Sequence, residues 1–272
     1  MMELVFAFVL GSVIGSFLNV VILRIPKDES IAFPASHCYS CGNNLKPWHN
    51  TPIISWLFLR GKCAFCGSKI SMQYPIIEFV SGAIFVILAI KYTPSIPLLF
   101  VAMSFLMLLA LSVIDFRYKM VPDSLNLLAI FFAILGAWSI GGMLTKSQHA
   151  MLFAGGFTLL RFTLSYFLTS SLHKAGEKTK TSWNKNYDRT PFVEAMGEGD
   201  IMVAATMGAL LGIKLTLVAI FLSALLALPV MLVLRGRPPE EQRVPFVPFL
   251  AIATFIVYIF DSPIMAYIEA NY

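Results

Sequence analysis

The feature that most constrains the fold is a series of long apolar runs that carry almost no charge. The run Leu4–Leu23 has no charged residue, and at 1.5 Å per residue it is long enough to cross a bilayer as a helix. Only 13% of the chain is charged, whereas a soluble domain of this size has about 25%. The sequence therefore predicts an all-α membrane protein, with lipid surrounding most of its helices.

The apolar runs predict eight transmembrane helices. Their predicted bounds are Leu4–Leu23, Ile76–Ile90, Ile96–Ile114, Leu125–Ile140, Ala150–Leu172, Ile201–Leu211, Leu215–Leu234 and Val247–Tyr267. The sixth is short and is separated from the seventh by a break at Gly212, Ile213 and Lys214. In the first helix, Gly11 and Gly15 form a small-residue pattern that lets another helix approach closely.

Basic residues are unevenly distributed among the loops that connect these helices. Most of the 20 Lys and Arg residues fall in alternate loops, beginning with the loop after the first helix. This bias is typical of the cytosolic side, so both termini are expected to be periplasmic. Cationic loops also account for the net charge of +5. We therefore expect membrane lipid, and no nucleic acid, as a partner.

Three parts of the chain differ in composition. Residues 1–23 form the first predicted transmembrane helix, and residues 24–75 form a cytosolic loop that contains all four cysteines. Residues 76–272 form the remaining transmembrane core, which includes a polar, lysine-rich loop at 173–198.

The four cysteines form two C-x2-C pairs, Cys38 with Cys41 and Cys63 with Cys66. Two such pairs about 20 residues apart are typical of a tetrahedral zinc site. A glycine follows each pair and permits the tight turn that each pair needs. Disulfides would require an oxidising compartment, which the predicted cytosolic location disfavours. We predict a structural metal, with zinc favoured and iron still open, because four thiolates leave no open catalytic position.

Two histidines, His37 and His49, lie near the cysteine pairs. With four thiolates available, neither is needed as a metal ligand. We expect both to be surface residues.

Two carboxylates are placed at the cytosolic edge of the predicted bundle. Asp115 ends the third helix, and Asp200 begins the sixth, within the sequence Gly197-Glu198-Gly199-Asp200. Carboxylates near lipid are costly and are candidates for function by default. Two carboxylates brought together share one proton, so one can activate water while the other polarises a carbonyl group. Gly197 and Gly199 would leave room for a substrate backbone beside Asp200.

Structural roles for these carboxylates are also open. Asp115 could pair with Arg117 or Lys119 at the membrane edge, and Asp200 could cap the sixth helix. Asp123 follows Pro122 and is predicted mainly as the N-cap of the fourth helix. Glu78, near the start of the second helix, fits a substrate contact or a helix-end carboxylate equally well. Glu194 and Glu198 are further candidates for contacts with a basic substrate segment.

Six short motifs occur in the order found in one known family. They are Gly15-Ser16-Phe17-Leu18-Asn19-Val20-Val21 with Arg24-Ile25-Pro26, the paired cysteines, Tyr74-Pro75 with Glu78, Ile114-Asp115 with Val121-Pro122-Asp123, Gly197-Glu198-Gly199-Asp200, and Pro245-Phe246 with Pro248-Phe249-Leu250-Ala251. In this series the chain resembles the bacterial type IV prepilin peptidases, which are aspartyl proteases of the GxGD type. It departs from them in a longer loop at His173–Ala195, and in Met202 and Val247 at positions usually occupied by lysine and glycine.

The resemblance implies a multi-pass enzyme of the bacterial inner membrane. Such an enzyme cleaves the basic leader of prepilins and pseudopilins after a glycine, on the cytosolic side. Many members then methylate the new N-terminus with S-adenosylmethionine. Carried over to this chain, Asp115 and Asp200 are the catalytic pair and the four cysteines bind zinc. Methyl transfer rests on the resemblance alone.

Three other functions are compatible with parts of the same sequence pattern. A presenilin-like intramembrane protease would also pair a G-x-G-D with a second aspartate, but the opening motif and the cysteine loop disfavour it. A metal-regulated transporter would use Asp115 and Asp200 as ion ligands. A methyltransferase that has lost its protease is disfavoured because both aspartates are present.

Overall fold

The computed structural model describes residues 1–137, 140–174, 197–234 and 244–271, and in these residues the protein is a bundle of helices. The helices are α1 (Met2–Arg24), α2 (Ile54–Phe58), α3 (Gln73–Lys91), α4 (Ile96–Tyr118), α5 (Asp123–Leu135), α6 (Ile140–Lys174), α7 (Glu198–Leu234), α8 (Val247–Ile259) and α9 (Asp261–Asn271). The described residues contain no strand, only two isolated bridges. The predicted all-α membrane class is confirmed.

Five of the described helices, α1, α3, α4, α6 and α7, are long and apolar enough to cross a membrane. Helices α8 and α9, bent by 78° at their junction, make a sixth span if they are taken together. The predicted count of eight is not confirmed, because α5 has only 13 residues and the two segments of α7 on either side of its break are not counted as separate spans. The predicted loop at 173–198 lies mostly outside the described residues.

Helix α6 begins ten residues earlier than the sequence predicted. Its first turns contain polar residues, which we interpreted as part of a loop. In the structure the hydroxyl groups of Thr145 and Ser147 each donate to the carbonyl oxygen four residues earlier, at 3.0 and 2.8 Å. Their polar groups are therefore satisfied within the helix, and they do not interrupt it.

A break divides α7 into two helical segments. Gly212 has φ 75° and ψ −176°, a conformation that L residues with a side chain rarely adopt. The break predicted at residues 212–214 is therefore confirmed at Gly212. It frees backbone groups inside an apolar helix, and the hydroxyl of Thr216 donates to the carbonyl oxygens of Met207 and Gly212, at 3.2 and 2.5 Å.

Small residues bring α1 and α3 into close contact. A Cβ atom at Gly11 would lie 2.6 Å from the carbonyl oxygen of Ser81, and one at Gly15 would lie 2.7 Å from the Ser81 side chain. Gly82 provides the matching space on α3, beside Phe8. The packing role predicted for Gly11 and Gly15 is confirmed.

Helix α4 is the most buried of the five long apolar helices, since 56% of its most apolar stretch is buried inside the protein. It packs against α5, α8, α1 and α3, while α7 packs against α5, α6 and α8. Large apolar side chains such as Phe131, Phe162 and Phe221 point outward, as expected for helices in lipid. Packing of α4 against its neighbouring helices therefore holds its C-terminal turn, which carries Asp115, in place.

The other end of the bundle is closed by polar contacts between α3 and the α8–α9 bend. The Lys91 ammonium donates to Asp261, and to the carbonyl oxygens of Tyr258 and Ile259. The Tyr92 hydroxyl donates to the Tyr258 carbonyl oxygen at 3.1 Å. Burial raises the pKa of Tyr92, so its hydroxyl remains a hydrogen-bond donor.

Candidate functional site

Asp115 lies in the last turn of α4 and is only 7% exposed. Its carboxylate accepts a hydrogen bond from the backbone N–H of Val247, the first residue of α8, at 3.1 Å. The pairing of Asp115 with Arg117 that we considered is not found in the described residues, since Arg117 donates instead to the side chain of Gln73. A buried carboxylate held by a single backbone amide retains the capacity to accept further hydrogen bonds.

Asp200 lies in the first turn of α7 and is half-buried. The negative charge of Asp115 acts on it, so the two carboxylates are within electrostatic reach of each other although 85 positions separate them in sequence. They come together because α4 and α7 both pack against α5 and α8. Two acids in such a position can divide the roles of proton donor and acceptor.

Gly199 allows the start of α7 to pack against the segment that links α4 to α5. A Cβ atom at position 199 would lie closer than 3.0 Å to the Val121 side chain, which real Cβ atoms essentially never do. We expected this glycine to leave space for a substrate, but the space is occupied by Val121. Gly197 is more open, because its nearest neighbour to an added Cβ would be an Asp200 carboxylate oxygen at 3.7 Å.

The other acidic residues considered as site residues have different positions and partners. Asp123 is the first residue of α5 and is exposed, with Pro122 rather than Asp123 at the N-cap position. Its negative charge there still favours the helix N-terminus. Glu198 forms an ion pair with Arg161 of α6, at 2.9 Å. Glu194 lies outside the described residues.

The four cysteines meet in one cluster. Their Sγ atoms all lie within 4.8 Å of one another, and those of Cys38 and Cys66 are 3.9 Å apart. The two pairs fold alike, since Gly42 donates to the Cys38 carbonyl and Gly67 to the Cys63 carbonyl. Both glycines have positive φ, at 72° and 71°, which explains why the turns need glycine.

The cluster fits a divalent metal with tetrahedral thiolate coordination. Zn–S bonds of about 2.3 Å place the sulfur atoms of a tetrahedron about 3.8 Å apart. No disulfide joins the cysteines. Hydrogen bonding with the Ser68 hydroxyl lowers the pKa of Cys38 to about 6, and the contact between Cys66 and the same hydroxyl lowers the pKa of Cys66. The cluster is therefore already suited to the thiolate form that a metal requires.

Glu78 lies in α3 and is 6% exposed. Its carboxylate accepts a hydrogen bond from the backbone N–H of Ile53 at 2.7 Å, and it also contacts Ser16 of α1. It therefore connects the cysteine-containing segment to the bundle. It does not belong with the two aspartates, but lines a separate cavity beside the cysteine cluster.

The contact that sequence reasoning missed is the Val247 amide. In the sequence, Val247 differs from its surroundings only in that the prepilin peptidases usually have glycine at this position. The structure shows that its backbone, not its side chain, contacts Asp115. The available signal was the pair of prolines at 245 and 248, which marks the start of a helix.

These features together define a multi-pass helical membrane protein with a pair of interacting aspartates and a four-cysteine cluster. The comparisons with known proteins then identify its family. Residues 9–92 match the bacterial peptidase A24 N-terminal domain, and residues 100–232 match the type IV leader peptidase family. The chain belongs to this family, and it is a peptidase.

Several curated relatives of the chain carry the same name. The chain is 32% identical to the prepilin leader peptidase/N-methyltransferase of Neisseria gonorrhoeae, over 93% of this chain and 88% of that protein. It is 30% identical to the protein of the same name from Bacillus subtilis (strain 168), over 96% of each chain. It is 31% identical to that of Burkholderia pseudomallei (strain 1026b), over 96% of this chain and 87% of the relative. No solved structure matches the chain.

Proposed function

We propose that the protein is a membrane aspartyl endopeptidase that removes the leader peptide from type IV prepilins and pseudopilins. The observation that supports this proposal is that Asp115 and Asp200 lie within electrostatic reach of each other, in a chain of the type IV leader peptidase family. The names of the relatives support the prepilin as substrate.

The two aspartates act as a pair that holds one proton. The ionised carboxylate removes a proton from a water molecule, which attacks the scissile carbonyl carbon. The protonated carboxyl group donates to the carbonyl oxygen as negative charge develops there. The Val247 amide fixes the orientation of Asp115, because its N–H donates to one carboxylate oxygen. The carboxyl group therefore needs little rearrangement when the substrate arrives.

Cleavage takes place at the cytosolic face of the bacterial inner membrane, with both termini of the enzyme in the periplasm. The concentration of basic residues in alternate loops supports this orientation. A prepilin has an apolar helix that lies in the bilayer beside the enzyme, so its basic leader remains in the cytosol. The helix must unwind locally at the scissile bond, and a glycine before that bond favours unwinding.

A second reaction follows cleavage, in which the new N-terminal amine is methylated with S-adenosylmethionine. The names of the relatives support this step, since they combine peptidase and N-methyltransferase. The four cysteines bind zinc in a structural role. Their four thiolates close the coordination sphere, and so the ion stabilises a segment that has little apolar core of its own.

The test uses purified enzyme in proteoliposomes with a prepilin substrate. Asp115→Asn and Asp200→Asn should each abolish leader removal, with normal folding and expression. Asp28→Asn is the matched control, because Asp28 is exposed, far from the pair in sequence, and has a positive φ that asparagine tolerates. Cleavage by either variant at the wild-type rate contradicts the proposal.

The same preparation distinguishes the alternatives. A transporter would move ions into sealed vesicles and leave the prepilin intact. A presenilin-like protease would cut within the apolar helix, and mass spectrometry of the product locates the cut and any methyl group together.

A further inference from the structure

A chain of three polar side chains joins α1, α3 and the last turn of α4. Arg117 of α4 donates a hydrogen bond to the side-chain oxygen of Gln73, the first residue of α3. The amide nitrogen of Gln73 donates to the side-chain oxygen of Asn19 in α1, at 3.4 Å. Asn19 is fully buried and donates in turn to the carbonyl oxygens of Gly15 and Tyr74, at 3.3 and 3.2 Å. The exposed end of α4 is therefore connected to a buried anchor.

The direction of each hydrogen bond in this chain is determined by chemistry. An arginine side chain can only donate, so Arg117 needs the oxygen end of the Gln73 amide. Asn19 uses its nitrogen for two carbonyl oxygens, which leaves its oxygen for the nitrogen end of Gln73. Reversal of either amide would place a donor against a donor, or an acceptor against an acceptor. The buried asparagine therefore selects the orientation of Gln73 that accepts from Arg117.

Arg117 belongs to the same helical turn as Asp115. The backbone N–H of Lys119 donates to the carbonyl oxygen of Asp115 at 2.9 Å, and Lys119 ends the helix in a left-handed conformation. Because this hydrogen bond closes the turn around Arg117, a displacement of Arg117 also displaces Asp115. The contact to Gln73 therefore acts on the backbone of Asp115, whereas the Val247 amide acts on its carboxylate.

Side-chain packing is interrupted beside this turn. Arg117 and Gln73 both line a cavity of about 410 Å³, between the C-terminal end of α1, the cysteine-containing segment and the start of α3. We expected His49 at the surface, but it is half-buried in the same lining and its ring packs against Phe65. Apolar side chains attract one another only within about 4.5 Å, so they cannot hold the turn across an open space. The hydrogen-bonded chain supplies a fixed connection on this side.

We propose that Gln73 and Arg117 are positioning residues for the peptidase reaction, and that they hold Asp115 in place through the last turn of α4. This inference rests on the proposed function of Asp115 and Asp200. Gln73 lies in the segment that matches the peptidase A24 N-terminal domain, and Arg117 in the segment that matches the leader peptidase family. Their contact therefore couples the cysteine-containing half of the chain to the geometry of the aspartate pair.

The first test removes either end of the contact. Gln73→Met keeps the length of the side chain but cannot accept from Arg117, and Arg117→Met removes the guanidinium group. Each should lower kcat for leader cleavage in proteoliposomes about tenfold or more, because a misplacement of about 1 Å can cost about 100-fold. KM should stay within about twofold of the wild type, since no contact with substrate is lost.

Lys119→Met is the matched control. It removes the same charge from an exposed position at the same end of α4, and it should keep kcat within about twofold of the wild type. Thermal unfolding of each variant in detergent shows that it is folded. The contact between Arg117 and Gln73 is exposed, and exposed polar contacts contribute little to stability, so melting temperatures should stay close to that of the wild type.

A reversed pair tests whether the two residues act through direct contact. Gln73→Arg alone places two guanidinium groups together, and Arg117→Glu alone places a carboxylate against the amide oxygen of Gln73. Each single variant should lose kcat about tenfold or more. When both changes are combined, the guanidinium group at position 73 can donate to Asn19 and to the carboxylate at position 117. The double variant should return to within about threefold of the wild-type kcat, which independent effects would not allow.

Each outcome decides between this inference and its rivals. Wild-type kcat in Gln73→Met and Arg117→Met overturns the inference, as does a lower melting temperature with unchanged kcat. A raised KM with unchanged kcat assigns Arg117 to substrate binding instead. Failure of the reversed pair, when folded, to recover any activity contradicts the direct contact. Cleavage by Asp115→Asn or Asp200→Asn at the wild-type rate contradicts the proposed function itself, and so the two failures are seen separately.

Discussion

Gly199 packs directly against Val121, with no space between them for a side-chain carbon at position 199. This contact fixes the start of α7 against the segment between α4 and α5, and Asp200 is the next residue. The position of one member of the aspartate pair therefore depends on the absence of a methyl group at its neighbour.

Gly199→Ala should lower the rate of leader cleavage. The added methyl group displaces the first turn of α7, and misplacement of a reacting group by about 1 Å can cost about 100-fold in rate. Gly155→Ala in α6 is the control, because an added Cβ there meets nothing within 4 Å. The measurement is kcat in proteoliposomes, and wild-type kcat in Gly199→Ala would show that the contact does not position Asp200.

Replacement of Cys66 by serine should reduce the bound zinc. The Cys66 thiolate is one of four in the cluster, and a serine hydroxyl is a much poorer ligand for zinc. Zinc content per chain is measured by mass spectrometry of the purified protein. Ser55→Ala provides a control in the same segment, since its hydroxyl donates to the Thr51 carbonyl and not to the cluster. Equal zinc in Cys66→Ser and the wild type would refute the metal site.

Metal retention should depend on pH through Ser68. Its hydrogen bonds hold the pKa of Cys38 at about 6, below the ordinary value of 9.0, so this thiolate persists as pH falls towards 6. Ser68→Ala raises that pKa, so protons displace the metal at a higher pH than in the wild type. In Ser40→Ala the contact to Cys38 is unchanged, because it comes from the backbone. Zinc remaining after dialysis at successive pH values measures the shift, and identical release curves would contradict the role of Ser68.

Lys91→Met should lower the thermal stability of the protein without changing its rate of leader cleavage. The ammonium group links α3 to the α8–α9 bend, through Asp261 and two carbonyl oxygens, at the end of the bundle remote from the aspartates. Losing these partly exposed contacts should cost about 1–2 kcal/mol. Lys214→Met, at an exposed position, is the control. Thermal unfolding in detergent gives the difference, and equal melting temperatures would show that the link contributes nothing.

Patterns among neighbouring residues predicted several features of the structure, whereas hydrogen bonds between distant segments were not predicted. The turns of the cysteine pairs follow from residues three and four positions apart, and the break at Gly212 follows from a single interruption of an apolar run. The alternation of basic loops also predicted that Asp115 and Asp200 lie at the same membrane edge. These inferences need only local geometry and a count of helices.

Contacts between distant segments could not be predicted in the same way. The amide of Val247 reaches Asp115 across 132 positions, and the amide of Ile53 reaches Glu78 across 25. Backbone donors have no residue-type signature, so no pattern in the sequence indicates them. The start of α6 was misplaced because its hydroxyl side chains can bond within the helix, which composition alone does not reveal.

The break in α7 also restricts the choice of residue four positions later. A carbonyl oxygen that loses its helical partner has no water to turn to in the hydrocarbon layer, and here the Thr216 hydroxyl takes that place. Serine could serve at position 216, but valine, although it has the same shape, would remove this donor from the Met207 carbonyl oxygen in the interior of the protein. The hydrogen bonding of the broken helix therefore depends at this point on a single hydroxyl group.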